Sequence, residues 1–301
     1  MACVAGNCGV SRGNLALAYQ AAGRPAEAVP LLERTLADSV RVLGAEHPDT
    51  LASRGSLALA YRDAGRLAEA VPLLERAVAD RERVLGADHP DTLGSRNNLA
   101  SVYLAAGRLA EAVALFERTL AVRERVLGPD HPDTLASRNN LASAYWAAGR
   151  LDAAQALLER TLADTERLLG PDHPDTLASR DNLAGAHQAA EQLDQALPLL
   201  EEVVASTERV LGAVHPQLAV TLCRLGQVQA ELGDLASAAA AFGRAVEVDT
   251  AAYGPDHPEV ATDLEALAAV QERLGDVEAV AASRARARAH SRAGAGVGSV
   301  T

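Results

Sequence analysis

Six histidines precede proline in this chain, at His47, His89, His131, His173, His215 and His257, each 42 residues after the last. Imidazole binds metals and moves protons, so such a column raises the question of a metal site or a general base. The spacing argues against both. Equivalent points on successive helices lie ~8–10 Å apart, whereas zinc needs its nitrogens at ~2.0–2.1 Å. These histidines are expected to be loop and helix-start residues. Cys3, Cys8 and Cys223 make an odd number, and no second Cys or His pair follows at finger spacing. Reduced thiols are expected, with neither a disulfide framework nor a metal site. Gly294-Ala295-Gly296-Val297-Gly298 has the glycines of a phosphate loop but lacks a strand before it and a helix after it. No G-x-S-x-G, H-E-x-x-H or Walker pattern occurs, and no nucleophile is paired with a base. The expectation is no catalytic residue, no cofactor and no metal.

The beat of the histidines belongs to something larger. Gly44, Gly86, Gly128, Gly170, Gly212 and Gly254 keep the same interval, as do Gly23, Gly65, Gly107, Gly149, Gly233 and Gly275. The second series breaks once, at Glu191. Such self-similarity is the signature of a stacked repeat architecture. One unit reads clearly from residue 89. Pro90 suits the first position of a helix, where its missing N–H is not needed, and Asp91 complements the helix dipole. Leu99, Ala100 and Tyr103 form an apolar stripe, and Gly107 ends the helix. A second helix follows with Leu109, Ala112, Val113, Phe116 and Leu120 at helical spacing. Neither helix buries its stripe alone, so stacked neighbours must share one core. Pro30, Pro72 and Pro198 are expected near the first turn of their second helices, with a slight kink.

Composition agrees. The chain is 49% hydrophobic over 301 residues, with few aromatics and much Ala and Leu, which favours helices packed through small side chains. A net charge of −12 excludes a nucleic-acid binder that works by excess positive charge. Heavy use of Ala and Arg without a single Lys points to a GC-rich, bacterial genome. No apolar run approaches the ~18 residues that span a bilayer, and residues 1–10 do not read as a signal peptide. A cytoplasmic protein without membrane contact is expected, with a monomer as its state.

The pattern Leu99-Ala100-x-x-Tyr103-x-x-x-Gly107-x-x-x-x-Ala112-x-x-x-Phe116 resembles the tetratricopeptide repeat. The run from Glu111-Ala112 to Arg125-Val126-Leu127-Gly128 and on through Asp130-His131-Pro132-Asp133 is similar to the 42-residue, kinesin light chain-like version of that repeat, including bacterial proteins of this type. The resemblance implies an all-α, right-handed superhelical solenoid of about seven antiparallel helix pairs. Its units fall near 9–48, 49–90, 91–132, 133–174, 175–216, 217–258 and 259–292, between an irregular start at 1–8 and a flexible tail at 293–301. Only the repeat is shared, so no motor function is implied. The sequence departs from the family at Arg54, Arg96, Arg138 and Arg180, where a large apolar residue is usual. There the stems are expected to pack while the heads reach a carboxylate or solvent.

The resemblance also implies a mode of action, binding a peptide or partner protein in the concave groove lined by the first helices. Positions five, six, nine and twelve of each unit then face the peptide. They are Asn97, Asn98, Ser101 and Leu104 in unit three, Asn139, Asn140, Ser143 and Trp146 in unit four, and Asp181, Asn182 and Gln188 in unit five. A carboxamide can donate to and accept from an extended main chain, and an exposed Trp is an anchor of the kind that dominates interfaces. The alternatives are that the asparagines bond between neighbouring helices and that Trp146 fills the core. Bacterial proteins of this look also carry such arrays behind a signalling ATPase, so the second functional reading is a sensor or regulatory region whose catalytic domain is not in this chain. Units two to four are near copies, while unit five has Glu191 for the turn glycine and His187 for the tyrosine. An altered turn is expected there. The first unit lacks a His-Pro start, which leaves a truncated unit or an upstream extension open. Arg284, Arg286, Arg288 and Arg292 are expected on a solvated capping helix.

Overall fold

The structure is a computed structural model that describes residues 12–20 and 23–296, with side chains described to residue 288. Every regular element among the described residues is an α-helix. The chain divides into two compact bodies, residues Met1–Arg150 and Leu151–Thr301. The first holds α1 (12–20), α2 (Pro25–Leu43), α3 (Pro48–Asp63), α4 (Leu67–Leu85), α5 (Pro90–Ala105), α6 (Leu109–Val126) and α7 (Pro132–Ala147). The second holds α8 (Leu151–Leu169), α9 (Pro174–Ala189), α10 (Leu193–Leu211), α11 (Pro216–Glu231), α12 (Leu235–Tyr253), α13 (Pro258–Leu274) and α14 (Val277–Gly296). Within each body consecutive helices pack on one another, and in the first body α3, α5 and α7 also lie side by side. Residues 1–8, with Cys3 and Cys8, and residues 297–301 of the expected tail lie outside the described residues.

Alanine sets the closeness of the packing. Ala28, Ala70, Ala112, Ala154, Ala196 and Ala238, one per repeat, are all fully buried. So are Ala16, Ala58, Ala100, Ala142 and Ala184 on the first helices. Side chains this small let helix axes approach closely, and Leu32, Leu74, Phe116, Leu158, Leu200 and Phe242 fill what remains.

The histidine column serves the helix starts. His47 Nδ1 accepts the backbone N–H of Asp49 at 3.2 Å, and the same bond recurs at His89, His131, His173, His215 and His257. Each ring satisfies one of the amides that a helix start leaves without an intrahelical partner. Proline follows as the first helical residue. Thr50, Thr92, Thr134 and Thr176 come two places after that proline, fully buried, with hydroxyls that find no partner. In the later repeats Leu218 and Val260 take this place and are equally buried. An apolar wall therefore surrounds the position. Thr92→Val should raise stability by about 1 kcal/mol by removing a buried, unbonded hydroxyl. Urea unfolding measures it, and a loss of stability would show that the hydroxyl has a partner.

The turn at Glu191 departs from expectation. Gly107 turns the chain at φ 73°, with its N–H on Leu104 O at 3.0 Å and that of Arg108 on Tyr103 O at 2.8 Å. Glu191 adopts φ 58°, with its N–H on Gln188 O at 3.0 Å and that of Gln192 on His187 O at 2.9 Å. The turn is kept rather than altered, because packing on both sides holds a residue with a Cβ in the left-handed region. That conformation costs about 1–2 kcal/mol for an L-residue. Glu191→Gly should accordingly raise stability by about 1 kcal/mol, allowing for the extra freedom of glycine in the unfolded chain. Thermal unfolding reads this, and an unchanged or lower midpoint would sink the strain argument.

The prolines also sit differently from expectation. Pro30, Pro72 and Pro198 are each the sixth residue of their helices, in the second turn rather than near the first. Each removes one i→i−4 hydrogen bond there. The helices continue because α2, α4 and α10 each run 19 residues and are held by tertiary packing.

Candidate functional site

The four arginines that depart from the usual repeat pattern are buried, and their heads reach carboxylates. Arg96 is 6% exposed and donates to Glu82 from Nε at 2.9 Å and Nη2 at 2.7 Å. Arg138 has no exposed surface and meets Glu124 in the same way at 3.2 and 2.8 Å. Arg180 meets Glu166 and also lies 3.4 Å from Glu202. Arg54 has Val40 where the others have their glutamate, and pairs with Asp80. The stems pack as core; the heads of Arg96, Arg138 and Arg180 staple one helix pair to the one before it, and Arg54 joins the two helices of its own pair.

A second staple recurs at the turns. Tyr61, Tyr103 and Tyr145 donate their hydroxyls to Glu33, Glu75 and Glu117 at 2.7–2.8 Å. Arg66, Arg108 and Arg150 lie over those rings at 4.0–4.4 Å, within cation–π range. Burial and the acceptor Glu75 push the Tyr103 hydroxyl up to about 12. In repeat five three residues change together. His187, Glu191 and Gln192 replace Tyr, Gly and Arg, and His187 Nδ1 lies 2.7 Å from Gln192 Oε1.

In the first body, α5 and α7 bring eight of the anticipated groove residues together. Trp146 is 52% exposed and is not core filler. Leu104, Asn97, Asn98, Asn139 and Asn140 are half-buried. Asn140 Nδ2 donates to Asn97 Oδ1 at 3.3 Å, so this pair bonds between helices as the alternative reading held. Ser101 and Ser143 donate to Asn97 O and Asn139 O at 3.0 and 3.1 Å, leaving each hydroxyl oxygen as an acceptor.

In the second body, α9 presents Asp181, Asn182 and Gln188. Asp181 accepts from Arg224 Nη1 on both Oδ2, at 2.6 Å, and its backbone oxygen, at 2.9 Å. Burial raises the Asp181 carboxyl above its ordinary range, and Arg224 opposes this. Gln188 Nε2 donates to Glu231 Oε1 at 2.9 Å. A cavity of about 270 Å³ lies between α9, α10 and α11, with Asp181, Asn182 and Thr207 among its lining residues. Sequence reasoning passed over Arg224, which takes the register of Asn98, Asn140 and Asn182 in unit six, because it named groove residues in units three to five only. It passed over the second-helix residues equivalent to Thr207 because it looked on first helices alone. Comparing the repeats column by column would have found them.

Among the described residues no group of three His, Cys, Asp or Glu side chains could hold a metal ion, and no helix is long and apolar enough to cross a membrane.

Paired helices capped at one fixed interval, with stapled interfaces and a polar face on the first helices, define an α-helical repeat protein. The tetratricopeptide repeat profile matches residues 8–83, 55–122, 91–165, 139–208 and 179–251, and the chain belongs to that family, in its 42-residue, kinesin light chain-like form. The chain is 42% identical to a crystal structure of nearly identical TPR-like repeats attributed to a kinesin light chain of Podosopora anserina. That match covers 67% of this chain and 95% of the other, with a TM-score of 0.59. BtubC (BKLC) from P. vanneervenii shares the fold at 22% identity and a TM-score of 0.67, over 78% of this chain and 94% of its own. A signal transduction ATPase with numerous domains from Pyrococcus horikoshii, with a tetratricopeptide repeat sensor, has a TM-score of 0.64 at 13% identity. It is matched over 93% of this chain and 41% of its own length. Comparison with curated proteins gives no significant match. Repeats of this family are in general protein-interaction modules.

Proposed function

We propose that the chain is a non-catalytic cytoplasmic scaffold that binds peptides or extended partner segments on its first helices, through α5 and α7 in the first body and through α9 in the second. The supporting observation is the surface of α5 and α7, where an exposed Trp146 stands among half-buried carboxamides and Leu104. The indole supplies apolar contact area, and the amides and serine oxygens supply partners for a main chain. Part of that capacity is already used between Asn97 and Asn140, which fixes the amide orientations in advance.

The test begins with partners captured on the full chain from a lysate and identified by mass spectrometry. Affinity of a captured partner is then measured for Asn98→Ala, Asn140→Ala and Asn182→Ala combined. Loss of about three hydrogen bonds weakens binding roughly 10- to 100-fold, and circular dichroism checks that the variant folds. Unchanged affinity in a folded variant rejects this surface. Trp146→Ala probes the anchor separately, with a similar loss expected.

A further inference from the structure

The second helix of each repeat carries one residue facing the start of the next first helix, and its identity changes along the chain: Ser39, Arg81, Arg123, Thr165, Thr207 and Asp249. In repeat three the position is filled from within. Arg123 is 7% exposed, and its Nη1 donates to Asp133 O at 2.8 Å and Ser137 Oγ at 2.5 Å. Arg81 reaches Ser95 in the same way in repeat two. In repeat five the arginine is gone. Thr207 stands in its place, as Thr165 does in repeat four, and the cavity of about 270 Å³ lies beside it. That is below the ~300–1,000 Å³ of sites that hold whole small-molecule ligands. It is room for one long side chain.

The walls match the missing occupant. Leu177, Val203 and Val210 offer an apolar track for a methylene stem. Gln217 lines the cavity at the position of Asp133, whose backbone oxygen receives the Arg123 head, and Thr221, at the position of Ser137, donates to the Gln217 backbone oxygen at 3.1 Å. Asp181 replaces the neutral Asn97, and only one of its two carboxylate oxygens is used by Arg224. Its Oδ1 is buried and has no partner. A buried carboxylate oxygen without a donor costs stability until one arrives.

We infer that this cavity is a specificity pocket for an arginine side chain of the bound partner, built on the geometry that Arg123 displays within the chain itself. The inference rests on the peptide-binding reading of the first helices. A planar guanidinium presents five donors in a fixed fork, suited to acceptors spread over two helices. An apolar side chain would leave Asp181 Oδ1 without a donor, and an acidic one would be repelled. The net charge of −12 further favours a basic partner.

The experiment titrates the full chain with ethylguanidinium and, in parallel, with ethylammonium, following backbone amide resonances by NMR. Saturable shifts at Asp181, Thr207 and Gln217 are expected with ethylguanidinium, and binding of ethylammonium at least about fivefold weaker. Thr207→Arg rebuilds the internal arrangement and should abolish the response. Thr207→Met fills the space without charge and should do the same, should the arginine variant not fold. Absence of saturation, an undiminished response in a folded filled variant, or equal binding of the ammonium overturns the pocket. Should ethylguanidinium bind as expected while the triple asparagine variant keeps its partner, the pocket stands and the groove assignment falls.

Discussion

Arg138→Ala should destabilise the first body by about 3–5 kcal/mol, the largest loss expected from any single truncation among its polar residues. The side chain has no exposed surface, and two of its nitrogens donate to Glu124 Oε1. Alanine removes the stem that fills the space and leaves a carboxylate facing a cavity. The ion pair itself is the smaller part of the loss, since charges brought out of water repay little of their desolvation. Arg138→Met separates the two contributions. It keeps most of the volume at a position where the family usually has a large apolar residue, and Glu124 is 36% exposed and can turn to solvent. The methionine variant should therefore lose less than about a third of what alanine loses. Urea unfolding followed through Trp146, which lies in the same body, reads both. Equal losses for the two variants would show that the charge, rather than the packing, holds the position.

Acid should stabilise the second body. In repeat six the inter-repeat position holds Asp249, and Asp263 stands where Ser137 receives Arg123. Both carboxyls are 6% exposed, and Asp249 Oδ1 and Asp263 Oδ2 find no partner. Cys223 Sγ donates to Asp263 Oδ1 at 3.0 Å, and Glu259 adds a further like charge. Burial first, then the neighbouring Asp263, raises Asp249 to about 6. Burial raises Asp263 as well. The carboxyls therefore keep a proton in the fold that the unfolded chain gives up near pH 4.

The sign follows. Below about pH 4 both states are protonated, and the pair opposes folding least. Between about 4 and 6 the unfolded chain binds fewer protons than the folded one, so stability falls as pH rises. Above 6 the full penalty is present, about 1–3 kcal/mol. Amide exchange of α11 to α13 at pH 5 and pH 8, corrected for intrinsic rates, should show faster opening at pH 8 by about half that amount, since pH 5 lies midway through the window. Asp249→Asn should flatten the difference. Equal protection at both pH values in the unaltered chain would mean that the carboxyls are solvated.

Much of the fold was legible because the features that build it recur. The His-Pro beat gave the helix starts, Gly107 and its equivalents gave the turns, and the alanine and leucine stripes gave the buried faces. Where the reading missed, a local rule met a tertiary constraint. Glu191 looked like a broken turn because glycine is the usual left-handed residue, yet packing of α9 and α10 imposes the turn on a glutamate. Pro72 was placed by what a helix tolerates in isolation, whereas the helix runs through it. The groove residues were named from their register, and the structure shows what register cannot. Asn140 already bonds Asn97, Asp181 is paired with Arg224, and Trp146 stands exposed. The column from Ser39 to Asp249 escaped notice because its members differ in type, and a search for repetition discards positions that vary.

The staples between helix pairs have a consequence for how such a chain can change in length. Arg96 with Glu82 and Tyr103 with Glu75 join one repeat to the one before it, over 14 and 28 residues. Arg138 with Glu124 and Tyr145 with Glu117 repeat the junction one interval later. Excision of residues 91–132 as a block would bring Arg138 to Glu82 and Tyr145 to Glu75, with every donor and acceptor class preserved. A cut one residue shorter or longer would instead set Arg138 against Arg83 or Arg81. Gain and loss of material are thereby quantised in whole repeats, so duplication and deletion can lengthen or shorten the recognition surface without redesigning a single junction.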